Sequence, residues 1–265
     1  MIFINTRPIS RAEPLTQAMQ AKGMTVLSMP LLELATLAIS EREQQYQQDF
    51  CQQPDKYQAL VVVSPTAARE GLAACPKGFV PSASCAVIAV GHATAKVLRE
   101  AGWQVSCPDE YSNEGMMQMS ELNTLGQGNH ILVWRGRGGR RLLVNFLQDN
   151  GVVIDAIAWY QRQSPAQAPD DFLQMQQALQ ALASTNSDQA VNKPVALISS
   201  GEAFSNWRQL ILDSEHCQLE DFYYLAFGKR LTQMITDLQL SCVRLEHLDT
   251  DEVWRGVQIV FTQNN

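Results

Sequence analysis

The sequence predicts an α/β protein of two doubly wound, parallel-sheet lobes of flavodoxin-like type, one inserted in the other and joined by a two-stranded linker. Three observations carry this. Apolar β-like runs alternate with helical patterns almost throughout, as where "ALVVV" (59–63) precedes "PTAAREGL" (65–72). Continuous apolar strands, each followed by a helix, belong to parallel sheets covered on both faces. About ten such runs are too many for one small sheet and suit two sheets of five. A faint internal repeat favours the same division. A closed eight-stranded barrel is the competing architecture.

The strands are expected near 2–5, 25–28, 59–63, 86–90, 104–107, 130–134, 152–157, 195–198, 223–227 and 241–245. Helices are expected near 11–22, 65–74, 93–101, 114–122, 139–149, 202–212, 229–238 and 250–257. The glutamine cluster at 44–53 reads as a solvated helix face, and "STNSDQAVNKP" (184–194) as a surface loop.

The repeat sets the order of the lobes. Placing Arg7 over Arg135 puts Leu15 on Leu143, Gly23 on Gly151 and Val26 on Ile154. A second block, "VVVSPTAAREGL" (61–72), is set on "ALISSGEAFSNW" (196–207), with Ser64 over Ser199. A third sets "AVIAVGHATAKVL" (86–98) on "YYLAFGKRLTQMI" (223–235), with Gly91 over Gly228. The first block opens the chain and its companions close it, so the other copy lies wholly in the middle. The expected lobes are 1–34 with 166–265, and an inserted 39–161. The chain crosses between them at 30–39 and 160–169, where polar and proline-rich segments suit a short hinge beside a cleft.

Composition narrows the chemistry. Net charge is −7 and hydrophobic content 46%, which favours a large core and speaks against a general nucleic-acid binder. The Met1 end reads as a strand, so no signal peptide is expected, and no apolar run suggests a membrane span. Six cysteines (51, 75, 85, 107, 217 and 242) are scattered, without a C-x-x-C pair or neighbouring histidine. Reduced cysteines in a cytoplasmic protein without a metal are the expectation.

An anion site must therefore be local, and "WRGRGGRR" (134–141) offers one. It is neither a Walker A loop nor a dinucleotide fingerprint. Its glycines allow close backbone approach, the following helix start points N–H groups outward, and Arg135 and Arg140 add bidentate donors. Gly136 and Gly138 belong to the same cradle. The matching turn near the N-terminus holds Arg7. Ser64 with Pro65, and Ser199 with Ser200, stand at strand ends where helices begin; N-caps explain them, but such ends also bind ligands. Gly91 completes the set, while His92 is read as a bystander. The residues alone describe a bilobal binder of a polyanion, and a non-catalytic small-molecule binding protein remains the alternative. A transferase with two Rossmann-like lobes would need a nucleotide fingerprint or metal carboxylates, and neither is found.

These blocks in this order resemble the uroporphyrinogen-III synthase (HemD-like) family. The residues that carry the resemblance are "TRP" (6–8), "GMTVLSMPLLEL" (23–34), "VSPTAA" (63–68), "AVGHATA" (89–95), "WRGRGGRRLL" (134–143) and "GVVIDAIAWYQR" (151–162). The chain departs from the family pattern at "GKRLT" (228–232) and in the looser "ISSGEA" (198–203). The resemblance implies a cofactor-free cyclase of tetrapyrrole biosynthesis. Its substrate would be hydroxymethylbilane, a linear tetrapyrrole with eight carboxylates, closed to uroporphyrinogen III with inversion of ring D and loss of water. It points to Tyr160 and Thr94 as site residues, with Tyr160 the proton donor; as a residue alone, Tyr160 also reads as a core tyrosine at a strand end. No nucleic acid, membrane or metal is implied. Delivery by the upstream bilane-forming enzyme stays open, and a monomer is expected because no strongly apolar surface helix stands out.

Overall fold

The computed structural model describes residues 1–138, 142–185 and 193–264. In chain order its strands are β1 (Ile2–Asn5), β2 (Thr25–Ser28), β3 (Glu33–Thr36), β4 (Ala59–Val62), β5 (Ala86–Ala89), β6 (His130–Gly136), β7 (Val153–Gln163), β8 (Val195–Ile198), β9 (Tyr223–Phe227) and β10 (Cys242–Leu245). The helices are α1 (Ile9–Ala21), α2 (Glu41–Gln52), α3 (Pro65–Ala73), α4 (His92–Glu100), α5 (Asn113–Gln118), α6 (Ser120–Asn123), α7 (Leu142–Asp149), α8 (Ala168–Thr185), α9 (Gly201–Leu212), α10 (Lys229–Thr236) and α11 (Thr250–Asn264). The chain divides into two compact units, Met1–Glu33 with Gln163–Asn265, and Leu34–Arg162.

Each unit is a three-layer α/β sandwich. The first sheet has the order β10-β9-β8-β1-β2, and all its pairings are parallel. The second has the order β3-β7-β6-β4-β5, parallel from β7 to β5. Strand periodicity explains the layers, because successive side chains leave opposite faces. On β4, Leu60 and Val62 join Phe50 of α2, Ala68 of α3 and Leu98 of α4. Ala59 and Val61 face the other way, to Met116 of α5, Leu122 of α6 and Leu147 of α7. On β8, Ala196 and Ile198 join Phe172 of α8, Phe204 of α9 and Leu231 of α10, while Val195 and Leu197 meet Leu15 of α1 and Val257 of α11.

The two units share one plan entered at different strands. In the first, β9-β8-β1-β2 are consecutive; in the second, β5-β4-β6-β7 are. Helices α1 and α7 follow the matching strands β1 and β6, and α9 and α3 follow β8 and β4. The match corrects the sequence alignment by one residue in one block. Ser64 accepts the Ala67 N–H at 3.1 Å and Ser200 the Ala203 N–H at 3.2 Å, so the equivalent of Ser64 is Ser200 and not Ser199.

Other expectations change as well. The strand expected at 104–107 shrinks to an isolated parallel bridge from Ser106 to Ile88. The second sheet takes its fifth strand from β3, which lies in a segment read only as a crossing. The crossing expected at 160–169 is strand as far as Gln163 and helix from Ala168. The helix expected at 114–122 is broken at Met119, whose ψ of 136° is extended, into α5 and α6.

Candidate active site

The candidate residues of the second unit stand where β4, β5, β6 and β7 end. Ser64 follows β4 and caps α3, with Pro65 at the first helical position, where a missing N–H costs nothing. Gly91 follows β5 in an extended conformation and begins α4 without any side-chain cap. Its neighbour His92 is exposed and meets the Tyr111 ring edge-on, with centroids 4.8 Å apart. Thr94, in the first turn of α4, is 2% exposed.

The β6 end carries the arginine turn, and its geometry is specific. The ladder shifts register between Arg135 and Gly136: Arg135 pairs with Ala158, but Gly136 pairs with Tyr160. The shift makes Trp159 the extra residue of a bulge, and a bulge re-aims the residues beside it. The Tyr160 phenol donates to Ser64 Oγ at 3.0 Å. Its ring lies over Gly136, where an added Cβ would stand 2.6 Å from Tyr160 Cζ. The backbone closes the arrangement, since the Arg137 N–H donates to the Tyr160 carbonyl at 2.6 Å.

Arg135 behaves differently from the expectation of an outward anion clamp. Its Nε donates to the Gly136 carbonyl at 3.1 Å and its Nη2 to the Gly138 carbonyl at 2.9 Å. The guanidinium thus ties its own turn, helped by Gly138 in the left-handed region at φ 81°. Arg137, not singled out from the sequence, is exposed. Arg140 lies outside the described residues.

In the first unit, Arg7 follows β1. Buried Asn5 holds this turn: its amide donates to the Ala12 carbonyl at 3.1 Å and to Thr16 at 2.9 Å, and its carbonyl accepts the Arg7 N–H at 3.3 Å. The Thr6 hydroxyl donates to the Leu197 carbonyl, tying the end of β1 to β8. Burial and the like charge of Arg11 push the Arg7 guanidinium below its ordinary range, a cost that an anion would relieve. Ser199 and Ser200 stand at the β8 end, with Ser200 capping α9. Thr232 returns its hydroxyl to the Gly228 carbonyl at 3.1 Å. Neither Asn5 nor Thr6 announces this role in sequence, because their partners are set by the fold.

The structure therefore brings together Tyr160, Ser64, Gly136, Arg135 and Gly138, and separately orders Arg7 through Asn5. Among the described residues no group of three or more His, Cys, Asp or Glu side chains is placed to hold a metal ion. Nor, among them, is any helix long and apolar enough to cross a membrane.

Comparison with known proteins follows the same lines. A family model described as uroporphyrinogen-III synthase HemD matches residues 13–252. The uroporphyrinogen-III synthase of Synechococcus elongatus is 27% identical over 215 residues, 75% of either chain. Two solved structures share the fold. A mutant uroporphyrinogen III synthase of Thermus thermophilus matches with a TM-score of 0.58 at 14% identity, covering 99% of this chain and 98% of that one. The uroporphyrinogen-III synthetase of Helicobacter pylori matches with a TM-score of 0.54 at 12% identity and the same 99% and 98% coverage.

Proposed function

This chain belongs to the uroporphyrinogen-III synthase HemD family and is an enzyme of tetrapyrrole biosynthesis, and we propose that Tyr160 and Ser64 together supply the proton its reaction needs. The substrate is hydroxymethylbilane, which loses its terminal hydroxyl and closes to uroporphyrinogen III with ring D inverted. The observation that carries the reading is the hydrogen bond from the Tyr160 phenol to Ser64.

The chemistry follows from the donor inventory. Ser64 Oγ accepts from the Tyr160 phenol at 3.0 Å and from the Ala67 N–H at 3.1 Å, so its own hydrogen is left to donate. Placed against the leaving hydroxyl, Ser64 gives that hydrogen while Tyr160 replaces it. The pyrrole nitrogen pushes the hydroxyl out as water, and the ring carbon that later re-aromatises returns a proton. A phenol carries an O–H that it can donate, which suits this role. Such help is worth roughly 10² to 10⁴ in rate.

The remaining residues bind and shape. In the second unit, Arg137 and the backbone N–H groups at the Gly91 and Gly136 turns hold carboxylates of the substrate, with Arg140 and Pro65 as further contacts; in the first unit, taken by itself, Arg7, Ser199 and Ser200 offer donors of the same kind. Arg135 and Gly138 stiffen the turn. Thr94, being buried, shapes the start of α4 and does not carry the proton.

The test is direct. The protein is incubated with hydroxymethylbilane, and the type III and type I isomers are separated. The parent should form type III, and Tyr160→Phe should turn over roughly 10²-fold or more slowly with its fold intact. Turnover of Tyr160→Phe within twofold of the parent would end the proton-source reading.

A further inference from the structure

One side chain reaches the Tyr160 strand from outside the turns. Glu43 sits in the first turn of α2. Its Oε1 accepts the Ala158 N–H at 2.9 Å, across 115 positions of sequence. Its Oε2 accepts the Ser40 N–H at 2.9 Å and the Ser40 hydroxyl at 2.7 Å, as part of a capping box that fixes the carboxylate in place. Ala158 is the last β7 residue paired before the bulge, two positions ahead of Tyr160.

The location explains why an acceptor is needed. The Leu37 N–H donates to the Trp159 carbonyl at 2.9 Å, but β3 has already ended at Thr36. The Ala158 N–H would otherwise lack a partner in a half-buried position, and such orphan donors are costly. Glu43 supplies what a longer β3 would have supplied. Burial alone would raise its carboxyl, yet the Ala158 and Ser40 hydrogen bonds and the Arg137 charge hold it below the ordinary carboxylate range. The same arginine belongs to the turn that donates to the Tyr160 carbonyl.

We propose that Glu43 is a positioning residue for the reaction: by fixing Ala158 at the bulge, it aims the Tyr160 phenol at Ser64. This rests on the reading of Tyr160 as the proton source. The bond to Ala158 acts on the strand, not on the substrate, so its loss should lower turnover and spare binding.

The experiment is a double-mutant cycle on the full chain, reading kcat and KM for type III formation from hydroxymethylbilane. Glu43→Ala is expected to lower kcat about tenfold or more, with KM within about twofold, since a small misplacement near the chemistry is expensive. Glu43→Gln keeps an oxygen for the Ala158 N–H and should recover most of that loss. In the Tyr160→Phe background, Glu43→Ala should cost less than about twofold further, because both changes remove one coupled contribution. Should Glu43→Ala fail to fold, Glu43→Met keeps the stem, removes only the acceptor and serves in the same cycle. Additive losses in the two backgrounds, or Glu43→Ala at the parent kcat while Tyr160→Phe is slow, would overturn the positioning role alone. Parent-like turnover of Tyr160→Phe would instead remove the proton-source reading, and the role of Glu43 with it.

Discussion

Gly136 leaves the space that the Tyr160 ring occupies: an added Cβ would meet Tyr160 Cε2 at 2.7 Å and its hydroxyl oxygen at 3.0 Å. Gly136→Ala must therefore push the phenol away from Ser64. Because the residue is the last of its strand and only half-buried, the fold should tolerate the shift. Turnover is expected to fall about 10²-fold, with the thermal midpoint little changed. An alanine variant with parent turnover would show that the ring is free to move.

Ser64 and Ser200 separate capping from chemistry. Each accepts an N–H three residues on, so replacing either by alanine should cost about 1 kcal/mol of stability. Only Ser64 also receives a tyrosine hydroxyl. Denaturant titration should give similar losses for Ser64→Ala and Ser200→Ala, while turnover falls much further in Ser64→Ala.

Gly71 of α3 tests the core beneath the site. A Cβ there would lie 2.2 Å from Cε3 of the fully buried Trp134. The indole has aromatic neighbours on several sides, including Phe50 and Trp159 with centroids at 5.7 and 6.0 Å, so it has little room to retreat. Gly71→Ala should destabilise the protein by about 1–3 kcal/mol in urea unfolding followed by tryptophan fluorescence.

Acid should weaken a second cluster, away from the strand-end turns. Lys56 Nζ lies 2.6 Å from Asp49 and 3.4 Å from Asp155, and the Tyr57 hydroxyl donates to Asp155 at 2.8 Å. The hydrogen bond from Lys56 holds the Asp49 carboxyl below its usual range, against the effect of burial. A carboxyl lowered in the folded state contributes stability that is full above its unfolded value of about 3.9 and lost as pH falls through the folded value. Lys56→Met should therefore be less stable than the parent at neutral pH, and the difference should narrow below about pH 4 in thermal melts.

Thiol reactivity should also be ordered. The Cys51 and Cys75 sulfurs stand 4.0 Å apart, and the hydrogen bond between them lowers Cys51 while raising Cys75. Burial pushes Cys85 up to about 12. The thiolate is the reactive form. Iodoacetamide labelling read by peptide mass spectrometry should modify Cys51 before Cys75 and Cys85.

Local signals and long-range ones fared differently in the sequence. Runs such as "ALVV" and "VALI" are buried on both faces, so they stand out as strands at their correct positions. Short β3, "ELAT", alternates partly buried with exposed residues and resembles loop until a neighbour pairs it. "VSC" near 105–107 has the look of a strand but finds a partner only at Ser106. Among the site residues, the glycine turn is visible because its residue types are unusual where they stand, whereas Tyr160 is pointed to only by the family resemblance. The bond from Tyr160 to Ser64 spans 96 positions, and that from Glu43 to Ala158 spans 115. Neither has a periodicity or a motif, since both depend on how strands line up. The self-bonding of Arg135 was equally hidden: a guanidinium beside glycine carbonyls and one awaiting an anion have the same sequence.

The placement of β3 beside β7 has a practical outcome. The inserted unit starts on one of these strands and finishes on the other, so its two ends leave a single sheet as neighbours. In the surrounding unit, Gln163 donates to Glu33 at 2.8 Å, which puts the two cut points of that unit side by side as well. Excising 34–162 as its own gene product, and rejoining the remainder with a few-residue splice, would ask neither piece to stretch across a gap.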